Sequence, residues 1–354
     1  MKVLILPGDG IGPEITEVVN RALHVLNDDH KLGLNLVERS MGLATLRSEG
    51  TTMPQALLDE IHAADGVVLA PAHTYAYPAP EQGGINPSAA LRRGLDLYAN
   101  IRPAKKLPGV PCMARAIDLV VVRENTEGFY ADRSMFAGSG EFMPTEDVAL
   151  SVRKITRKGC MRIARTAFEL AMQRRKQVTM VHKANVLKMT DGLFVECCQT
   201  VAKDFPEVEL SESIIDAMTA RLIRNPDIFD VIVTTNMYGD ILSDEATELS
   251  GGLGLGGALN AGEVHGMAQA THGSAPDIEG RNIANPTALL LSCVMMLSWM
   301  AGKHGRDDLG RASQLLRDGI ETTLSDARNH TPDLGGSGTT RGFGDALVSV
   351  LRNA

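Results

Sequence analysis

Asp240 and Asp244 are four positions apart in Asp240-Ile241-Leu242-Ser243-Asp244, so on a helix they share one face about a turn apart. Two carboxylates that close repel unless a cation neutralises them, and a hard divalent metal with oxygen ligands does so. The same pair also reads as a solvated acidic face near a helix start, favoured by the helix dipole. Arg92, Arg93 and Arg102 surround the run Asp96–Asn100, and Arg123 opens Arg123-Glu124-Asn125-Thr126-Glu127-Gly128-Phe129-Tyr130 after an apolar stretch. Arginine at a strand end beside glycine makes an anion clamp, because its planar fork matches a carboxylate; ordinary surface ion pairing is the competing reading. Lys183 also follows an apolar run, in Val181-His182-Lys183-Ala184-Asn185. A lysine there suits proton transfer if its pKa is lowered, with Tyr130 as an acid partner. The run Gly252–Gly257 matches G-x-G-x-x-G but neither follows a first strand nor precedes a suitably spaced acid, so a Gly-rich connection between helices is expected. P-loop, H-E-x-x-H, G-x-S-x-G and EF-hand patterns do not occur.

The elements that must position these residues are short apolar runs alternating with helical patterns. Val3–Leu6, Gly66–Ala70, Leu119–Val122, Val178–Val181 and Val231–Thr234 read as buried strands. A helix is predicted from Pro13, with Ile15, Val18, Val19, Ala22 and Leu26 on one stripe. Further helices are expected near Pro54–Ala64, Thr190–Lys203, Asp240–Leu249, Pro286–Ala301, Leu309–Ala327 and Phe343–Leu351. This alternation predicts an α/β protein with helices packed on a sheet. Phe129–Glu146, Gly-rich and weakly periodic, is a candidate arm.

Composition narrows the class. At ~150 residues per domain, 354 residues suggest about two domains. Lys plus Arg total 35 and Asp plus Glu 43, a net charge of −8, which leaves no cationic footprint for nucleic acid or an anionic membrane. Five cysteines without a C-x-x-C pair argue against a disulfide framework or zinc ribbon and point to a reducing, cytoplasmic location. The apolar start is too short for a signal peptide, and Ala288–Ala301 falls short of the ~20 residues that span a bilayer.

Several segments in one order resemble the β-decarboxylating dehydrogenases, which include isocitrate, isopropylmalate, homoisocitrate and tartrate dehydrogenases. They are Gly8–Glu14, Asp96–Pro103, Arg123–Tyr130, Lys183–Asn185, Gly239–Asp244, His272–Asp277 and Ala284–Thr287. The resemblance implies two α/β domains around a cleft and not a standard Rossmann fold. Residues 1–97 and 251–354 would form a large cofactor-binding domain, and 98–250 a small domain with the dimer interface and arm. It implies oxidative decarboxylation of a 3-substituted malate, with Arg92, Arg102 and Arg123 binding its carboxylates. Asp216, Asp240 and Asp244 would hold Mg²⁺ or Mn²⁺. Lys183 would take the C2 hydroxyl proton and Tyr130 would protonate the enol. Lys183 and Asp216 come from the neighbouring subunit in this family, which implies a homodimer with shared active sites.

The cofactor would lie against His272, Gly273, Ser274, Ala275, Asp277, Ile278 and Asn285. A carboxylate at Asp277 accepts ribose hydroxyl hydrogens and repels an extra phosphate, so NAD is expected over NADP. Two departures from the family pattern, Gln269 in place of Glu and the loop 255–260 without Pro-Ser, are expected near the cofactor. For the substrate's C3 group, Asn86 and Ser88 supply a polar pair like that of isocitrate enzymes, in swapped order. Isocitrate is therefore the expected substrate. Isopropylmalate, another 3-substituted malate or tartrate is the alternative, and a non-catalytic regulatory subunit a more distant one.

Overall fold

Strands form where an apolar run leaves no side for water. The computed structural model describes residues 1–130 and 135–354. β1 (Lys2–Leu6), α1 (Gly12–Asp29), β2 (Asn35–Glu38), α2 (Leu43–Glu49), α3 (Gln55–His62), β3 (Gly66–Leu69) and α4 (Pro87–Gly94) come first. β4 (Ala99–Lys105), β5 (Asp118–Glu124), β6 (Glu141–Thr145), β7 (Val148–Ser151), α5 (Arg157–Met172), β8 (Gln177–His182), α6 (Thr190–Ala202), β9 (Glu209–Ile214), α7 (Ile215–Arg224), β10 (Val231–Thr234) and α8 (Asn236–Ser250) make the middle. β11 (Leu259–Ala261), β12 (Gly266–Gln269), α9 (Thr287–His304), α10 (Asp307–Ser325) and α11 (Thr340–Arg352) close the chain.

Ten strands form one sheet in the order β2-β1-β3-β12-β11-β4-β5-β10-β8-β9. The flanks are parallel, but β12–β11, β11–β4 and β4–β5 are antiparallel, which separates this sheet from an all-parallel doubly wound one. Residues 1–97 and 251–354 supply the first five strands in that order, and 98–250 the other five.

Alternation along each strand splits the core into layers. Val3 and Ile5 of β1 pack with α1, α9, α10 and α11, whereas Leu4 and Leu6 pack with Leu57, Ile61 and Leu91 on the other face. Val120 and Val122 of β5 pack under α5 and α6, and Leu119 and Val121 under α7 and α8. The predicted stripe of α1 is buried throughout, and the predicted strands are all present. α9, which holds the longest apolar stretch, is a core helix, and no described helix is long and apolar enough to cross a membrane.

Two expectations change. Gly252–Gly257 does not join two helices: it leads from α8 through a 3₁₀ turn into β11. The predicted arm, 129–146, holds the first strand of the exposed hairpin β6–β7, whose second strand lies beyond it, and residues 131–134 lie outside the described residues.

α8 lies close against β5 because Gly239 carries no side chain. A Cβ there would stand 2.6 Å from Arg123 Cβ and Cγ, atoms near the backbone that cannot swing aside. Gly192, in α6, has open space at the same position. Gly239→Ala is expected to cost ~1–3 kcal/mol through overpacking, and Gly192→Ala to add roughly 0.5–1 kcal/mol by reducing backbone freedom. Urea unfolding midpoints measure both, and a neutral Gly239→Ala would contradict this packing.

Candidate active site

The β4–β5 register places Asn100 opposite Arg123, so Asn100, Arg102 and Arg123 face the same side of the sheet, where α8 covers them. α8 answers with Asn236, Asp240, Ser243 and Asp244, one polar stripe at helical spacing. Arg123 is 2% exposed; its Nε and Nη2 donate to Asn236 Oδ1 at 3.0 and 2.7 Å, and Nη1 donates to Asp240. Arg102 Nη1 donates to Ser243 Oγ at 2.8 Å and Asp244 Oδ1 at 3.1 Å and stands 3.2 Å from Asp240 Oδ1. Tyr130 Oη donates to Asp240 Oδ2 at 3.2 Å. The structure thus brings together four predicted residues, Arg102, Arg123, Asp240 and Asp244, with Tyr130 at their edge.

Their charges are shaped by one another. Burial pulls the Arg102 guanidinium down to about 10, and repulsion from Arg123 adds to this. Burial also pushes the Asp240 carboxyl up, but Arg123, Arg102 and Arg92 outweigh it and leave Asp240 below the usual carboxylate range. At Asp244 burial prevails over Arg102, and that carboxyl is raised. Neighbouring carboxylates on one helix are pushed apart.

Arg92 enters from α4. Its Nη2 donates to Gln269 Oε1 at 3.2 Å, which also accepts from Ser88 Oγ at 3.3 Å and Asn260 Nδ2 at 3.2 Å. Asn260 Oδ1 in turn accepts from Asn100 Nδ2 at 2.7 Å. A chain of side-chain amides therefore connects Arg92 to Arg102 across the β11–β4 seam. Gln269, expected near the cofactor, hydrogen-bonds the substrate candidates Ser88 and Arg92. The other polar candidate, Asn86, is the N-cap of α4: its Oδ1 accepts from Ala89 N at 3.1 Å. Helix capping occupies its acceptor and leaves only its Nδ2 to meet a ligand.

Lys183 and Asp216 sit at the ends of β8 and β9, and the two side chains are ion-paired with each other. That pairing holds Asp216 below the usual carboxylate range. Fully buried Asp191, paired with Arg153, accepts from Lys183 N at 2.6 Å and fixes the backbone there. Among the described residues no three His, Cys, Asp or Glu side chains of one chain converge as a metal cage. Asp240 and Asp244 offer carboxylate oxygens of the kind that Mg²⁺ or Mn²⁺ takes, and Asp216 is not grouped with them in one chain.

The loop expected to meet the cofactor packs against the turn after β1. Ile11 N donates to Ser274 O at 2.9 Å, and a Cβ on Gly10 (φ +61°) would stand 2.1 Å from that oxygen. Ser274 Oγ is 3.0 Å from His73 Nδ1, and buried Asp9 accepts from His73 N and Tyr77 Oη at 3.0 and 2.5 Å. Ala275 holds a strained positive φ of 38°. Gly273 and Asp277 are exposed, and Ile278 packs on the core. The His272 Nε2 is buried without a partner, an atom free to meet a ligand. Asn285 is less free: it accepts from Thr287 N at 3.0 Å and donates to Asp333 at 2.9 Å.

Sequence reasoning assigned no role to Asn236, Ser243 or Asn260 and placed Gln269 only as a departure near the cofactor. The first two carried a usable signal, since they fall on the helical face of Asp240. The others depend on the register of β11 and β12.

Comparison with known proteins follows this geometry. The family model described as isocitrate/isopropylmalate dehydrogenase matches residues 2–347. The 3-isopropylmalate dehydrogenase of Sulfurisphaera tokodaii is 40% identical over 99% of this chain and 98% of its own length. The isocitrate/homoisocitrate dehydrogenase of Thermus thermophilus is 39% identical, covering 99% of each chain. The crystal structure of isocitrate dehydrogenase from Methylococcus capsulatus superposes with a TM-score of 0.86 at 38% identity, covering 99% of both chains. The chain belongs to the isocitrate/isopropylmalate dehydrogenase family and is an enzyme that oxidatively decarboxylates a substrate bearing a CH–OH group.

Proposed function

We propose that this enzyme uses NAD and Mg²⁺ or Mn²⁺ to oxidise and decarboxylate a malate whose C3 substituent carries a carboxylate, as in isocitrate. The observation that carries this reading is the cluster of Ser88, Arg92 and Gln269. Its members are hydrogen-bonding groups: Ser88 Oγ and Arg92 Nη2 both donate to Gln269 Oε1. Burying such groups against methyls would strand their hydrogen bonds. A second reading is 3-isopropylmalate, favoured by the names of relatives at 40–41% identity.

When bound, NAD supplies the hydride acceptor and the divalent ion a Lewis acid for the C2 oxygen. The protein's own residues do the rest. Arg92, Arg102 and Arg123 orient the substrate carboxylates in a largely dry setting, where charge-assisted hydrogen bonds are strong. Lys183 accepts the C2 hydroxyl proton once the charge of Asp216 is engaged elsewhere. Tyr130 returns a proton to C3 after CO₂ leaves. Asp277, exposed on its loop, meets the adenosine ribose.

Lys183 and Asp216 serve the site of a second copy, so the working unit is a homodimer. Exposed Val186, Met189, Ile223 and Ile241, beside these residues, give the apolar surface that such a copy covers. Residues 1–97 with 251–354 form one domain and 98–250 the other, each with its own pair of apolar layers. The five unbridged cysteines suit a cytoplasmic location.

Steady-state kcat/KM with NAD and Mn²⁺ across isocitrate, homoisocitrate, isopropylmalate, tartrate and malate is expected to rank isocitrate first. A clear preference for isopropylmalate would overturn the polar-pocket reading. Asp277→Lys is expected to lower kcat/KM for NAD by an order of magnitude or so and raise it for NADP, whereas unchanged NAD kinetics would remove Asp277 from the ribose. Lys183→Met and Asp240→Asn are each expected to be inactive alone. Refolded together, they should recover roughly a quarter of wild-type activity, because half the dimers are mixed and one site in each is intact. No recovery would place the whole site in one chain.

A further inference from the structure

A cavity of about 320 Å³ opens between the end of α4 and the first turn of α5, on the α5 side of the sheet. Arg92, Arg93, Lys154, Lys158 and Arg162 line it against two carboxylates, Asp96 and Glu127. Both carboxylates are already engaged. Asp96 accepts from the two terminal nitrogens of Arg162 at 2.7 and 2.9 Å, and Glu127 accepts from Thr156 N and Oγ1 at 2.9 and 2.7 Å. No described carboxylate pairs with Arg93 or Lys158. The wall therefore keeps surplus positive charge, and the N-terminus of the 16-residue α5 adds its dipole.

A second observation concerns Asn125, which is fully buried and lines the same cavity. Its Nδ2 donates to Leu97 O at 2.8 Å and Asn260 Oδ1 at 3.0 Å, which fixes the amide and turns Oδ1 away from both. That oxygen is buried with no donor, as Arg162 Nε is buried with no acceptor. The wall thus asks for an anion and for a hydrogen-bond donor in one ligand.

We propose that this cavity binds a small hydroxylated phosphate monoester, a phosphorylated sugar or polyol. The phosphate sits against Arg93, Lys158 and the start of α5, and a hydroxyl donates to Asn125 Oδ1. The volume lies at the low end for small-molecule sites, which excludes a dinucleotide. Arg92 belongs to both sides: it lines this cavity and donates to Gln269 on the substrate side. An occupant therefore changes the field around Arg92 and shifts the substrate KM while leaving kcat alone. The coupling rests on Arg92 holding substrate; the binding does not.

Ribose 5-phosphate is the probe, titrated calorimetrically into the purified enzyme with saturating NAD present to occupy the nucleotide site. Wild type is expected to bind it, inorganic phosphate at least about tenfold more weakly, and ribose not at all. Lys158→Glu and Arg93→Gln are each expected to weaken it about tenfold or more with kcat unchanged, and to abolish the shift in substrate KM. Absence of binding, wild-type affinity in both variants, or phosphate binding as tightly as ribose 5-phosphate would overturn the proposal. Binding without a KM shift would overturn the coupling alone.

Discussion

Two guanidinium groups buried side by side set the terms for this structure. Arg102 and Arg123 are 6% and 2% exposed, and they repel each other. Such charges stay buried only when paired and hydrogen-bonded. Asp240, Asp244, Ser243 and Asn236 supply this from one face of α8, which is why α8 must lie flat against β4 and β5 and why Gly239 stands at the contact. The ledger of charge has a chemical consequence. Two guanidiniums, Arg102 and Arg123, face two carboxylates and balance them, with Arg92 beside them held by an amide. A dicarboxylate or tricarboxylate entering alone would drive the site negative. A divalent cation entering with it would restore the balance.

The antiparallel centre of the sheet makes that arrangement possible. Asn260 pairs with Asn100, and Asn100 with Arg123, so side chains from three strands share a face. A slip of one residue in β4 would send Arg102 into the apolar layer under α5. The run of buried amides through Asn100, Asn260 and Gln269 holds this register, because each amide has a polar partner only where it now lies.

Much of the fold was legible because apolar runs such as Val231–Thr234 can only be buried strands. The same rule hid β4, whose Asn100, Arg102 and Pro103 look nothing like a strand, and α5, whose buried face sets mostly small residues beside Ile163 and Phe168 among arginines. The residues of the site were legible as types: carboxylates one turn apart, arginines after strands. Their neighbours were not. That Asn86 also caps α4 through its Oδ1 does not show in its residue type. The bond from Gln269 to Arg92 shows only once the pairing of β12 with β11 is known. Spacing shows which residues share a helix face, but pairing between strands distant in sequence decides which faces meet.

That limit bears on Arg92 most of all. Its guanidinium stands where α4 meets the seam of the sheet, with the amide chain before it and the cation-lined cavity behind. Holding it by Gln269 has a different effect from holding it by a carboxylate. A carboxylate would oppose its charge directly, whereas an amide fixes its position without adding a charge of its own. A neutral acceptor at this one position therefore adds no charge of its own to an arginine that borders both the amide chain and the cavity.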